Sequence, residues 1–227
     1  MHVFVIPGNP PAQHFYQLWA KEIEAKYQSV RVMISPYPNT LTSLTDTITT
    51  HGQTLRKFHL AHGQPIKLVG HSLGGWIALH LLNEHLNLIN KCLLIAPFLE
   101  RPGLKGRMIL KGMHWLDKSQ KAQRLLLKQR PFLNRWIRDL EHVTDREIAL
   151  SIALAAHEHR VIGRGKIPIE RIQSVRDKLQ LIYCDRDKWC PPKTVKELNR
   201  WIPCEKLEIQ HDFITDKSQR HKVLESI

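Results

Sequence analysis

The sequence predicts an α/β fold, a doubly wound and mainly parallel sheet of about six strands in the order 2-1-3-4-5-6, with a helical cap inserted after strand four. Three observations carry this expectation. Short apolar runs alternate with segments of helical periodicity along most of the chain, the pattern of parallel strands joined by helical crossovers. One such run, with Ile66, Leu68 and Val69, leads through Gly70-His71-Ser72-Leu73-Gly74 into a mostly apolar helical stretch that holds Trp76, Ile77, Leu79, Leu81 and Leu82. Between Leu99 and Arg171 the alternation lapses into helical stripes, and after it resumes. The expected division is therefore a core of residues 1–98 and 172–227 and a cap or lid of residues 99–171.

Each element has a local reason. His2–Ile6 is a strand-like run stopped by Pro7-Gly8-Asn9-Pro10-Pro11, because consecutive prolines cannot donate to a ladder. Phe15, Leu18, Trp19 and Ile23 then recur at helical spacing opposite Lys21, Glu22, Glu24 and Lys26. Ser29–Tyr37 alternates Val30, Val32 and Ile34 and reads as strand two, and Leu44–Leu60 as the next helix. Strand three and its helix flank Ser72. Asn90–Phe98 is a fourth buried-type strand closed by Pro97.

Within the cap, Leu104, Met108, Ile109, Gly112, Met113 and Leu116 form one helical stripe. Phe132, Leu133, Trp136, Ile137 and Leu140 form another after Pro131. Thr144-x-x-Glu147 is a capping-box pattern ahead of Ile148–Ala156, which is apolar almost all round. Lys178–Cys184 is then strand five, followed by a helix near Pro192–Trp201, strand six at Lys206–Gln210 and a last helix from about Asp216.

In a sheet of this order the strand direction reverses between strands one and three, and ligands bind at that crevice. The loop Pro7–Pro11 and the turn at Ser72 should therefore face each other. The spacing Gly70-x-Ser72-x-Gly74 suits a sharp strand-to-helix turn, since a Cβ two positions either side would collide with the tightening backbone. A neutral serine hydroxyl needs a base to take its proton, an acid to orient that base and donors for the developing oxyanion. In this topology the later groups come from the loops after the last strands. Strand five runs into Asp185-Arg186-Asp187-Lys188-Trp189-Cys190-Pro191 and strand six into His211-Asp212-Phe213, in the order Ser, Asp, His. Asp185 and Asp187 are both candidate acids, and Glu100 after strand four is a further one.

The chain resembles the α/β-hydrolase superfamily and, more narrowly, the lipid-droplet-associated serine hydrolase family. The matching stretches are Pro7-Gly8-Asn9-Pro10 with Phe15-Tyr16, Gly70-His71-Ser72-Leu73-Gly74, Asp187-Lys188-Trp189-Cys190-Pro191 and His211-x-Phe213. The resemblance implies Ser72 as nucleophile, Asp187 as orienting acid and His211 as base. It also implies the backbone N–H groups of Leu73 and Asn9 as oxyanion donors, and Pro10 and Pro11 have no N–H to offer in place of Asn9. Pro11 stands where the family commonly has glycine, which should narrow the loop. The implied reaction is hydrolysis of a lipid-like or hydrophobic acyl ester, a small-molecule substrate, with a thioester as a variant. No cofactor is called for.

The 227 residues carry 34 Lys and Arg against 21 Asp and Glu, a formal charge of +13. Arg101, Lys105, Arg107, Lys111, Lys118, Lys121, Arg124, Lys128, Arg130, Arg135 and Arg138 fall in one segment where Asp117 is the only acid. Interleaved with Met108, Trp115 and Leu125, they have the make-up of helices that lie at an anionic membrane or lipid surface. The competing reading is a solvated basic face whose apolar side covers the crevice. A hydrolase-fold binding module with little turnover, docked through this face to a membrane or protein partner, is the alternative to an enzyme. Nucleic acid lacks a matching motif.

No apolar run approaches a membrane span, and His2–Ile6 reads directly as a strand, so export through a leader is not expected. Cys92, Cys184, Cys190 and Cys204 have no metal-ligand spacing and suggest reduced thiols in a cytoplasmic setting. His157-x-His159 lacks a third ligand at a known spacing and makes no metal claim.

Overall fold

β1 (His2–Ile6) runs through the interior of the sheet with all five residues buried. The computed structural model describes residues 2–38, 43–129 and 142–227. Successive side chains of β1 enter opposite cores, as the two-residue period of a strand requires. Val3 and Val5 join a cluster with Phe15, Tyr16, Trp19 and Ile23 of α1 (Gln13–Lys26). Phe4 and Ile6 join the larger cluster built with α2 (Leu44–His62) and α3 (Leu73–Glu84). Strands buried on both faces read as near-continuous apolar runs, which is why these were visible in the sequence.

The other strands are β2 (Val32–Ile34), β3 (Ile66–His71), β4 (Ile89–Ile95), β5 (Leu179–Tyr183) and β6 (Cys204–Lys206). They form one six-stranded sheet, parallel throughout, in the order β2-β1-β3-β4-β5-β6. That is the expected order. The register pairs Ile6 with Gly70 and His71 with Ile95, so β1, β3 and β4 end together at the rim that carries Ser72. Ser43 caps α2 by accepting from the Asp46 amide, and Gly63 ends it at φ 66°, a left-handed conformation suited to glycine.

Between β4 and β5 lie α4 (Leu104–Asp117), α5 (Gln120–Lys128), α6 (Asp145–Val161) and α7 (Ile169–Gln173). The capping box forms as expected: Thr144 accepts from the Glu147 amide, and Glu147 reaches back to the Thr144 amide. After β5 come α8 (Pro192–Leu198) and α9 (Lys217–Leu224). Arg220 of α9 donates to both carboxylate oxygens of Glu22 on α1 at 2.8 and 3.0 Å, fastening these two helices together.

Three expectations need correction. Strand two was expected over Ser29–Tyr37, but only Val32–Ile34 pairs, because this edge has β1 on one side alone and Pro36 and Pro38 have no N–H to extend the ladder. Strand six was expected at Lys206–Gln210 but pairs at Cys204–Lys206. Its register is set by β5, whose Leu181 amide bonds the Pro203 carbonyl, and after a last bond from the Leu207 amide to the Tyr183 carbonyl residues 208–210 leave the sheet and bring His211 back toward Ser72. In α4 the expected stripe faces inward only in part: Leu104 and Met108 are each 66% exposed, Met113 packs against the core, and Gly106 and Leu110, outside the stripe, are buried. Apolar residues occupy more than one face of α4, and contact with α6 and Trp189 selects the buried one. The helical stretch expected around Phe132, Leu133, Trp136, Ile137 and Leu140 lies outside the described residues, as do Arg130, Arg135 and Arg138.

Candidate active site

β3 delivers Ser72 at a backbone conformation, φ 53° and ψ −118°, that a non-glycine residue rarely adopts. The surroundings hold it there. The Ser72 amide donates to the Ile95 carbonyl of β4 at 3.0 Å, and its carbonyl accepts from Gly75 and Phe98. A Cβ on Gly70 would lie 2.4 Å from the Gly74 carbonyl oxygen, and one on Gly74 would lie 2.1 Å from that of Ile6. The bare Gly70 lets the turn close, and the bare Gly74 lets the start of α3 approach the end of β1. Across the crevice, a Cβ on Gly8 would sit 3.0 Å from Ser72 Cβ, so the Pro7–Pro11 loop does face the turn.

Asp187, His211 and Ser72 are brought into one line. Asp187 Oδ2 is 2.8 Å from His211 Nδ1, and His211 Nε2 is 2.9 Å from Ser72 Oγ. Burial alone would raise the Asp187 pKa. The hydrogen bond and charge of His211, with the amides of Trp189 and Cys190, outweigh that and hold it below its ordinary value. An ionised Asp187 only accepts, so His211 carries its proton on Nδ1 and offers the Nε2 lone pair to the Ser72 hydroxyl. Trp189 donates its amide to Asp187 Oδ1 at 2.8 Å, which fixes the carboxylate plane.

The rival acids are committed elsewhere. Asp185 pairs with Lys206 at 2.6 Å, and Glu100 accepts from Thr194 and lies 3.7 Å from Lys193.

A buried chain supports this line from beneath. The Gly8 amide donates to Tyr16 Oη at 2.8 Å, so the Tyr16 hydroxyl points its own hydrogen at His71 Nδ1, 2.5 Å away. His71 Nε2 then donates to the His211 carbonyl at 2.8 Å. Burial, reinforced by the neighbouring His211, lowers His71 to about 3, which keeps it neutral and its tautomer defined. Three loops from distant parts of the chain are thereby tied through two side chains.

Ser72 opens on a cavity of about 170 Å³ walled largely by Pro10, Phe98, Ile109, Leu110, Met113, Ala155 and Trp189. Asn9, Ser151 and Glu158 supply its remaining polar wall. Burial raises Glu158 to about 7, against the opposing effect of a hydrogen bond from Asn9. Among the described residues no three His, Cys, Asp or Glu side chains converge to hold a metal ion.

Of the residues named from sequence, Ser72, Asp187 and His211 meet, and Leu73 and Asn9 border them as the residue after the serine and the loop opposite. Sequence reasoning missed Tyr16 as a hydrogen-bonding residue, and it missed Ser151 and Glu158. A signal for the last two existed: Ile148, Ser151, Ile152, Ala155 and Glu158 share one face of α6, so a lone acid sits on a core-facing stripe.

The family model for lipid-droplet associated hydrolases matches residues 1–138. The lipid droplet-associated hydrolase of Rattus norvegicus is 24% identical over 96% of this chain and 81% of its own length. Among solved structures, one of a putative lipase from Acinetobacter baumannii aligns with a TM-score of 0.64 at 19% identity, covering 99% of this chain and 81% of that one. A soluble variant of monoglyceride lipase from Saccharomyces cerevisiae, in complex with a substrate analogue, aligns with a TM-score of 0.62 at 16% identity, covering 99% and 83%. The structural likenesses carry the fold and the match over residues 1–138 carries the family: this chain belongs to the lipid-droplet-associated hydrolases and is an α/β-hydrolase enzyme.

Proposed function

We propose that this enzyme hydrolyses carboxylic esters of hydrophobic acyl groups through an acyl-enzyme formed on Ser72. The observation that carries the reading is the unbroken Asp187–His211–Ser72 line at the edge of a mostly apolar cavity. His211 Nε2 takes the Ser72 proton as Oγ attacks the ester carbonyl, and Asp187 stabilises the imidazolium that forms. His211 returns the proton to the leaving alcohol. Water activated by the same nitrogen then attacks the acyl-enzyme, and Ser72 is restored. A thioester would follow the same course.

The tetrahedral oxyanion requires two donors, and the amides of Leu73 and Asn9 are the assigned pair. Gly8 has committed its amide to Tyr16, and Pro10 and Pro11 have none, which favours Asn9 within the loop. Residues 99–171 act as the cap, a reading supported by Ile109, Leu110, Met113 and Ala155 lining the cavity. Incubation with a fluorophosphonate probe is expected to label the folded protein on Ser72, as read by peptide mass spectrometry. Absence of labelling, or labelling at another residue only, overturns the assignment.

A second reading concerns where the enzyme works. Leu104, Met108 and Trp115 are 66%, 66% and 64% exposed on α4, a helix that also carries Lys105, Arg107 and Lys111. Exposed apolar groups among cations suit a cytoplasm-facing anionic lipid surface, and the rat relative is named for lipid droplets. Among the described residues no helix is long and apolar enough to cross a membrane. Flotation with phosphatidylserine-containing vesicles is expected to recover the protein at low salt and to weaken as salt rises. Equal absence from the vesicle fraction at every salt concentration rejects surface docking.

A further inference from the structure

The β1–α1 loop is fastened to α6 by its own side chain. Asn9 Nδ2 donates to the Ser151 carbonyl at 3.1 Å and to Glu158 Oε2 at 2.9 Å. Asn9 Oδ1 accepts from Ser151 Oγ at 2.6 Å. Both amide hydrogens and the amide oxygen are therefore bound to one helix, and the carboxamide has no freedom left. Four residues on, the Gln13 amide donates to Glu147 Oε1 at 2.9 Å. The same helix thus holds the loop at both ends.

Glu158 is an unusual choice for a structural fastening. It is buried, and among the described residues no cation pairs with it. A carboxyl taken out of water without a counter-charge is costly, whereas an apolar side chain at this position would fill space without that penalty. What an apolar side chain cannot do is accept from Asn9. The donor it accepts belongs to the residue whose backbone amide is the loop's available oxyanion donor, and both residues border the cavity that holds Ser72.

We propose that Glu158 and Ser151 are positioning residues that fix the Asn9 carboxamide and thereby aim the Asn9 backbone N–H at the developing oxyanion. The inserted helix α6 is then part of the catalytic apparatus as well as a wall of the cavity. Preorganised donors act in the transition state more than in the ground state, so loosening one lowers kcat and leaves KM nearly unchanged. The inference rests on the acyl-enzyme reading.

Four variants test it with a p-nitrophenyl acyl ester. Glu158→Ala is expected to lower kcat by about 10- to 100-fold with KM within about twofold, a fraction of the roughly 10²- to 10³-fold that removing an oxyanion donor costs. Asn9→Ala keeps the backbone N–H but removes the carboxamide, and a loss of similar size is expected. The double variant Asn9→Ala/Glu158→Ala is expected to be no slower than the slower single, because both changes cut the same link. Glu158→Gln, whose amide oxygen still accepts, is expected to restore kcat to within about threefold of wild type, since the acceptor geometry is what matters.

Unchanged kcat in Glu158→Ala, losses that multiply in the double variant, or Glu158→Gln as slow as Glu158→Ala each overturn the proposal. If Glu158→Ala does not fold, Ser151→Ala replaces it in the same cycle with Asn9→Ala. Ser72→Ala separates the two levels: turnover at the wild-type rate there defeats the acyl-enzyme reading itself. A dead Ser72→Ala beside fully active Glu158→Ala and Asn9→Ala defeats only the positioning role.

Discussion

Ser72→Ala is expected to reduce kcat toward ester substrates by about five to six orders of magnitude, the scale seen when a serine hydrolase loses its nucleophile. The expectation follows from what the hydroxyl does. In the proposed mechanism its hydrogen bond to His211 Nε2 at 2.9 Å is the route by which the attacking oxygen loses its proton, and no second hydroxyl is described in that bond. The substitution removes one oxygen and leaves the cavity walls, the Asp187–His211 pair and the Tyr16–His71 chain unchanged. Residual turnover above the uncatalysed rate should persist, since binding and the proposed oxyanion donors remain. Steady-state kinetics with a matched circular dichroism spectrum and melting curve checks this. A variant that keeps more than about a tenth of wild-type kcat would remove Ser72 from the mechanism, because that loss amounts to only about 1.4 kcal/mol.

Gly74→Ala is expected to cause the largest loss of stability among single methyl additions. The new Cβ would lie 2.1 Å from the Ile6 carbonyl oxygen and 2.6 Å from that of Pro7. Both obstacles are backbone, and β1 is held between β2 and β3, so it cannot retreat without breaking ladder bonds. Overpacking of side chains costs about 1–3 kcal/mol, and displacing a central strand exceeds that range. The variant should be recovered unfolded or with its urea midpoint sharply lowered.

Gly112→Ala is the matched control. Its Cβ meets nothing within 4 Å, and it lies inside α4, where alanine is favoured over glycine by about 1 kcal/mol. It should melt at or slightly above the wild-type temperature. Equal midpoints for the two variants would mean that the close approach of α3 to β1 is not what shapes the turn.

The contrast between these glycines shows where sequence reasoning succeeds. Gly70 was readable because the rule it obeys is local, a turn too tight for a Cβ, and Gly74 was readable from the same motif although the atoms that exclude its Cβ belong to the end of β1. The strands beside them were readable because burial on both faces leaves apolar runs. Asp187 and His211 could be placed after strands five and six because a parallel sheet puts all its strand ends on one rim. Deciding between Asp185 and Asp187 was a different matter. Two residues separate the alternatives, and the outcome depends on which carboxylate Trp189 and His211 bond and which one Lys206 draws away.

The chain by itself determined the sheet order, the turn that presents Ser72 and the sequence of groups available to serve it. Tertiary structure decided the end of β6, the buried face of α4 and the partners of Tyr16, Ser151 and Glu158. The physical reason is range. Periodicity and steric rules act over a few residues, whereas Asn9 meets Glu158 across 149 positions and Tyr16 meets His71 across 55. Such polar contacts are chosen by which surfaces remain when the sheet and its insertion have packed, and that choice is not encoded in any one stretch.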